Sequence, residues 1–544
     1  VNNAVFRLER PRNEPVRRYD PGGEEMESLR KEILRQSETE IEIPLIIGGK
    51  ECTTGDTVDV RMPHDHGRRL AVCHRARREE AELAVRCALE AKEAWLELPW
   101  EERVSISLKA AELIAGKYRN TLNAATILGQ SKNIQQAEID AACETVDFLR
   151  FNAYFASEIY RDQPLSTQVM LNRIEYRPLE GFVYAVTPFN FTAIASNLNM
   201  APVIMGNVTV WKPAQAAVLS NYYLMQIFRE AGVPDGVINF VPCEGRLLSE
   251  VVFSHSEFAG LHFTGSNATF NALWRQIAGN LTCFRSYPRV VGETGGKDFI
   301  FAHASADPDA LSTAIALGAF EYQGQKCSAA SRAYIPASLW PRLEDELCAR
   351  VAEIKMGDAA DPANLMGAVI DRDSYNRIMR CLERVKSSPN VKILTGGDGD
   401  SSKGYFIEPT VLVCEDPRHE TMETELFAPV ISIYIYEDEE YDKALALCND
   451  TSPYGLTGSV FSNDRYAAME AFSALRYAAG NFYFNDKPTG AVVGQQPFGG
   501  SRASGTNDKS GGRLNLLRWV SPRTIKETFV PLTDVRYPHM RRRD

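Results

Sequence analysis

The sequence predicts an α/β fold in which parallel strands carry helices on both faces, and three observations predict it. Strand-length apolar runs alternate with segments whose apolar residues recur every three to four positions. The runs end at Pro or Gly, as in GFVYAVTP (Gly181–Pro188) and AGVP (Ala231–Pro234). No repeat of solenoid period interrupts that rhythm, which is the signature of βαβ units. With 544 residues, 44% of them hydrophobic, the chain is too long for one ordinary domain.

In order along the chain, residues 1–40 read as a polar arm with a helix-like stretch at Glu24–Gln36. IPLIIGGKE (Ile43–Glu51) reads as a strand ending in a Gly-Gly turn. From Glu79 to Leu128 the spacing is helical: EEAELAVRCALEAKEAWLEL and VSISLKAAELIAGKY each present one apolar face. GFVYAVTP is then a strand, and APVIMGNVTVWKPA holds a helix end, a Gly turn and a strand. NYYLMQIFREAGVP is a helix with a Gly-Val-Pro stop, and INFVP and LHFTGS are strands. RVVGETGGKDFIFA (Arg289–Ala302) opens a second alternating region, which runs to about residue 490. GGDGDSSKGY (Gly396–Tyr405) has the composition of a surface loop.

Composition excludes several functions. The net charge is −11, from 60 basic and 71 acidic residues, and no basic stripe with interleaved aromatics is present, so no nucleic-acid partner is expected. The short Arg541–Arg543 run reads as a solvated tail. Eleven cysteines are scattered with no CxxC, which fits free thiols in a reducing compartment. No HExxH occurs, and no metal site is expected. No apolar run reaches the roughly 20 residues of a membrane span. The sequence starts at Val1, which is compatible with removal of a targeting segment.

Five short stretches could carry chemistry. FTGSNATF (Phe263–Phe270) has the strand, Gly-Ser turn and helix start that suit a pyrophosphate. VWKPA (Val210–Ala214) ends a strand with Lys212, which can reach ribose hydroxyls, or simply face solvent. TPFNF (Thr187–Phe191) holds Asn190, an oxyanion donor or an ordinary Asx turn. GETGGKDF (Gly292–Phe299) sets Glu293 before a Gly-rich bend, a base on a flexible hinge or a plain loop acid. In EYQGQKCSAASR (Glu321–Arg332), Cys327 lies beside Lys326 and Ser328 after the Gly324 turn. That is a polar, cationic setting of the kind a thiolate needs.

Taken in this order, with ETELFAP (Glu423–Pro429) following, these stretches resemble the aldehyde dehydrogenase superfamily from about residue 40 to 530. TPFNFTAI, FEYQGQKCSA, AAGNFYFNDK and VVGQQPFGGSRASGTNDKSGG resemble its Δ1-pyrroline-5-carboxylate (glutamate γ-semialdehyde) dehydrogenase branch. The resemblance implies a Rossmann-type cofactor domain over 41–157 and 177–293 and an α/β catalytic domain over 294–509. It also implies oligomerisation segments at 158–176 and 510–544, including a β-hairpin flap near Tyr160–Tyr176, and a homodimer.

It implies Cys327 as nucleophile, Asn190 as oxyanion donor and Glu293 as the base that activates water. The cofactor is NAD, held by Thr187, Lys212, the turn Gly265, Ser266, Asn267, Ala268 and Thr269, and by Glu425 and Phe427. A small aldehyde substrate meets Glu144, Phe191, Lys326, Ser328, Gly490, Ala491 and Phe498. The activity implied is NAD-dependent oxidation of L-glutamate γ-semialdehyde to L-glutamate in proline breakdown, in the mitochondrial matrix or, failing that, the cytoplasm.

Two positions depart from the pattern. Gln215 stands where an acid usually selects against a 2′-phosphate. KPTGA (Lys487–Ala491) has Pro488 and Ala491 at the two Ser positions of the loop that anchors the substrate carboxylate. They keep open a dehydrogenase for another small acidic aldehyde. A catalytically silent binding protein on the same fold is the non-enzyme alternative.

Overall fold

The computed structural model describes residues 6–540; the first five residues of the expected arm and the Arg541–Arg543 tail lie outside the described residues. Among the described residues the chain builds two seven-stranded sheets. In the first, Arg289–Glu293, Phe258–Thr264, Phe182–Val186, Thr209–Lys212 and Ile238–Phe240 run parallel. These are short apolar runs, and Phe258–Thr264 is buried along its whole length, as a strand covered by helices on both faces must be. IPLIIGGKE supplies the antiparallel edge, the hairpin Leu45–Ile47 with Lys50–Cys52. Gly48 and Gly49 turn it at φ 56° and 75°, a region costly for any residue with a Cβ. Helices Arg78–Glu97, Trp100–Ala115 and Arg119–Gln130 fill the helical stretch, broken near Pro99 and Gly116.

Strand order fixes where a ligand can sit. From Phe182–Val186 the chain proceeds to Thr209–Lys212 on one side, while Phe258–Thr264 returns to the other. Order reverses between them, which opens a crevice at the carboxyl ends of these strands.

The second sheet runs Val391–Thr395, Thr410–Cys414, Val430–Tyr436, Ala330–Pro336, Asp298–Ala302, Thr457–Phe461 and Asn481–Phe484. It is parallel except at its first strand. The stretch RVVGETGGKDFIFA therefore does not simply open the second region. Its first strand completes the first sheet, its second begins the other, and Thr294 to Lys297 cross between them.

The flap takes a different form from a self-contained hairpin. Tyr160 and Arg161 end the helix Thr145–Arg161, and Met170–Pro178 pairs antiparallel with Val520–Thr528 in a long ribbon. Residues 162–169 hold none of the Asn-Gly or Asp-Gly pairs that favour a tight hairpin, so the strand is free to take a distant partner. No described helix is long and apolar enough to cross a membrane. Among the described residues no group of three or more His, Cys, Asp and Glu side chains could hold a metal.

Candidate active site

A cavity of about 460 Å³ lies where the two sheets meet, and Cys327, Glu293, Glu144 and Phe191 all line it. The backbone before Cys327 is strained. Tyr322 and Gln323 sit at φ 53° and 56°, and such residues persist only where their surroundings hold them. Gln323 does so with three bonds: Nε2 donates to Ser131 O (3.0 Å) and Ala368 O (2.8 Å), and Oε1 accepts from Gly367 N (2.9 Å). Gln325 Oε1 accepts from Ile370 N (2.9 Å). Gly324 must be Gly, because a Cβ there would fall 2.1 Å from Ala428 O. Asn190 Nδ2 donates to Gln325 O (3.0 Å), so its amide abuts the loop that carries Cys327.

The cationic setting expected around Cys327 is not what the structure holds. Lys326 Nζ is taken by Glu321 (2.9 Å). Burial pushes the half-buried thiol well up, and Asp298, Glu293 and Glu425 push it further; its own backbone N–H is the opposing influence. The site therefore favours the thiol over the thiolate.

Glu293 ends the strand Arg289–Glu293, and Oε2 accepts from Gly500 N (3.4 Å). Burial raises its carboxyl well above the usual range. Lys509 Nζ donates to Gly480 O (2.8 Å) and Gly499 O (2.9 Å), pinning the turn that carries the Gly500 N–H. The Gly-Gly pair after Glu293 is there for close approach rather than for hinging. A Cβ on Gly295 would lie 1.9 Å from Glu425 Oε2, and one on Gly296 would lie 2.5 Å from Cys327 O. Glu425 Oε1 accepts from Gly296 N (3.0 Å), and burial lifts its carboxyl to about 7.

Thr187, Lys212 and the turn from Gly265 to Thr269 lie at the carboxyl ends of the first sheet's strands. Thr187 Oγ1 accepts from Trp211 Nε1 (2.9 Å). Lys212 ends its strand with no ion pair among the described residues, and burial lowers its amine. Gln215 begins the turn Gln215–Ala217 with its Nε2 buried near the Cys73 thiol. Ser266 caps the helix Asn267–Gly279 by accepting from Thr269 N (3.2 Å), and Asn267 Nδ2 ties it to Ala503 O (2.8 Å). Gly265 N donates to Glu293 O (3.2 Å), and Asn267 and Ala268 leave first-turn N–H groups without helical acceptors. Phe427, at φ 53°, meets the Phe189 ring edge-on at 5.8 Å. An unpaired amine, free helix N–H groups and a carboxylate are the donor and acceptor set a dinucleotide needs.

The opposite wall contains residues the sequence did not single out. Lys132, fully buried, donates to Asp140 Oδ2 (2.8 Å) and lies 3.8 Å from the Phe191 ring centre and 4.6 Å from that of Tyr322. Asp140 also accepts from Thr192 N (3.0 Å) and Ala193 N (2.9 Å), fixing the helix start beside Phe191. Asp140 and Glu144 belong to a π-helical turn, Glu138–Glu144, a geometry that clusters at functional sites. Burial, with Asp140 nearby, raises Glu144 to about 8. Ser328 Oγ donates to Thr489 Oγ1 (2.9 Å), and Glu321 also accepts from Lys487 Nζ (3.4 Å). The Cys327 loop and KPTGA are thus joined twice. Gly490 turns at φ 97°, Ala491 lines the cavity, and Phe498 is held by a backbone bridge to Ser510.

Residues 51–525 match the aldehyde dehydrogenase family. A Delta-1-pyrroline-5-carboxylate dehydrogenase, mitochondrial, of Dictyostelium discoideum is 52% identical over 533 residues, covering 97% of this chain and 96% of that one. Its Homo sapiens namesake is 47% identical, covering 97% and 94%. The crystal structure of the Delta-pyrroline-5-carboxylate dehydrogenase from Mycobacterium tuberculosis bound with NAD superposes with a TM-score of 0.96 at 50% identity, covering 99% of this chain and 100% of that one. With the paired sheets, the crevice and the thiol between them, these matches establish that the chain belongs to the aldehyde dehydrogenase family.

Proposed function

We propose that this protein oxidises L-glutamate γ-semialdehyde to L-glutamate with NAD, as the names of its relatives suggest. The observation that carries the reading is Cys327 facing a cavity with Glu293, at the mouth of a crevice whose groups suit a dinucleotide. Lys212 would hold a ribose, the first turn of Asn267–Gly279 the pyrophosphate, and Glu425 the second ribose. Bound NAD supplies the acceptor for the aldehyde hydrogen, which leaves as hydride.

The chain's own residues do the rest. The Cys327 sulfur bonds to the aldehyde carbon as the thiol gives up its proton to solvent, and the carbonyl π pair moves onto oxygen. The resulting oxyanion lies near Asn190 Nδ2 and the Cys327 N–H. Once the hydride has gone, a thioester remains on Cys327. Glu293 then takes a proton from water, the hydroxide oxygen bonds to the carbonyl carbon, and the C–S bond breaks to free the acid. The substrate carboxylate would sit on the N–H groups of Gly490 and Ala491. Its ammonium would sit at Glu144, whose raised carboxyl ionises more readily once a cation arrives.

Glu293→Gln is expected to keep one rapid turnover per site and then stall, with steady-state turnover down by about 10²–10⁴. Rapid-mixing measurement of NADH would show it; an undiminished steady state would remove Glu293 from the role of base. Pro488 and Ala491 favour a second reading, another small acidic aldehyde, because they lack the hydroxyls expected to grip a carboxylate. Rates over an aldehyde panel with NAD and with NADP decide between the two: no preference for the semialdehyde sinks the first.

A homodimer is proposed as well. The ribbon and the segments flanking it leave Leu165, Val169, Leu171, Phe529, Val530 and Leu532 exposed, apolar side chains of the kind copies cover. Sedimentation equilibrium should return twice the chain mass, and a monomer at working concentration would refute it. A mitochondrial setting is proposed on the names of the Dictyostelium and human relatives.

A further inference from the structure

Residues 10–19 run along the mouth of the cavity, and buried charge holds them there. Arg119 and Glu138 form an ion pair whose side chains are 2% and 0% exposed. So dry a pair is costly unless its remaining donors and acceptors are matched. The arm matches them. Arg119 Nη1 donates to Glu14 Oε1 (2.6 Å), and Nη2 donates to Pro15 O (2.8 Å). Glu138 Oε1 accepts from Arg17 N (2.9 Å), and Oε2 accepts from the Tyr19 hydroxyl (2.9 Å). The peptide groups on both sides of Val16 are therefore fixed.

A separate anchor ties the arm to the opposite rim. Asn13 Nδ2 donates both to Asp147 Oδ2 and to Val493 O, each at 2.8 Å, and Glu14 N donates to Asp147 Oδ1 (2.8 Å). Val493 lies two residues past the KPTGA loop, and Asp147 lies on the helix Thr145–Arg161. Val16 itself is 45% exposed, yet it lines the cavity with the exposed Ile139 and Val492. An apolar side chain that is not core, with its backbone clamped on both flanks at an opening, serves as a wall. The arm that reads in sequence as a polar extension thus contributes to the cavity.

We propose that Val16 is a specificity-determining residue of the aldehyde entrance: the clamped arm holds it as a rim that limits the apolar bulk an aldehyde can bring to Cys327. The inference rests on the cavity being the aldehyde's, as proposed above. It predicts that opening the rim admits longer chains while leaving the chemistry and the dinucleotide crevice alone.

The test is the ratio of kcat/KM for hexanal to that for propanal in the full-length enzyme, wild type, Val16→Ala and Val16→Trp. Both substitutions are at a half-exposed position, and a thermal melt confirms folding. Val16→Ala should raise the ratio about fivefold and Val16→Trp lower it by about the same factor, through KM for hexanal, with KM for NAD unmoved. A ratio within about twofold of wild type in both variants overturns the rim. A wild type that shows no preference for glutamate γ-semialdehyde over propanal overturns the proposed substrate instead, and the hexanal ratio still decides on the rim.

Discussion

Cys327→Ser should lower aldehyde-dependent NADH formation by about three orders of magnitude or more, the scale of loss when a covalent nucleophile is removed. The physical reason is the setting. Burial and the carboxylates of Asp298, Glu293 and Glu425 already oppose ionisation of the thiol. A hydroxyl, intrinsically a far weaker acid, has no cation at hand to help it, since Lys326 is committed to Glu321. The same setting gives a sign for pH: because the reactive form is the deprotonated one and its pKa is raised, kcat/KM for the aldehyde should climb as pH rises above neutral. Stopped-flow absorbance checks the first claim and a pH series the second. Unchanged turnover in Cys327→Ser would remove the cysteine from the chemistry and reopen the reading of this fold as a silent binding protein.

Lys132→Met should produce the largest loss of stability, about 3–5 kcal/mol, the usual cost of deleting one member of a buried ion pair. Lys132 has no access to water, and Asp140 is its charge partner. Without the ammonium, Asp140 stays buried with the N–H groups of Thr192 and Ala193 as its support. Methionine fills much of the volume, so the measured loss reports the stranded carboxylate rather than a cavity. Urea unfolding of wild type and variant gives the difference, and a loss below about 1 kcal/mol would mean that the pair contributes no more than a surface bridge. Activity should fall as well, because the amine also lies over the Phe191 ring that lines the cavity.

Much of the site's chemistry was legible because it lies in short contiguous stretches. TPFNF, GETGGKDF and EYQGQKCSAASR each put one candidate group beside the turn that presents it, and the structure brings Glu293 and Cys327 to one cavity. What escaped is held by distance. Gln323 steadies the Cys327 loop through Ser131, 192 positions away, and nothing in QGQK hints at that. Lys132 looks like an ordinary lysine after a helix until its burial is known. Met170–Pro178 has a clear strand pattern, but its partner at Val520–Thr528 lies near the other end of the chain. The glycines after Glu293 were visible, yet their reason, the Glu425 carboxylate pressed against them, required three dimensions.

The cavity draws on nearly the entire length of the chain, from Val16 to Ser510. During synthesis the thiol emerges from the ribosome long before the turn that bears Gly500, and before the loop that will face it. A ribosome adding about 5–20 residues per second leaves Cys327 waiting many seconds for them. For that interval it is an ordinary cysteine, with neither base nor pocket. A half-made chain therefore carries a thiol of ordinary acidity in the open, and the pocket that encloses it is complete only when the two ends of the chain have come together.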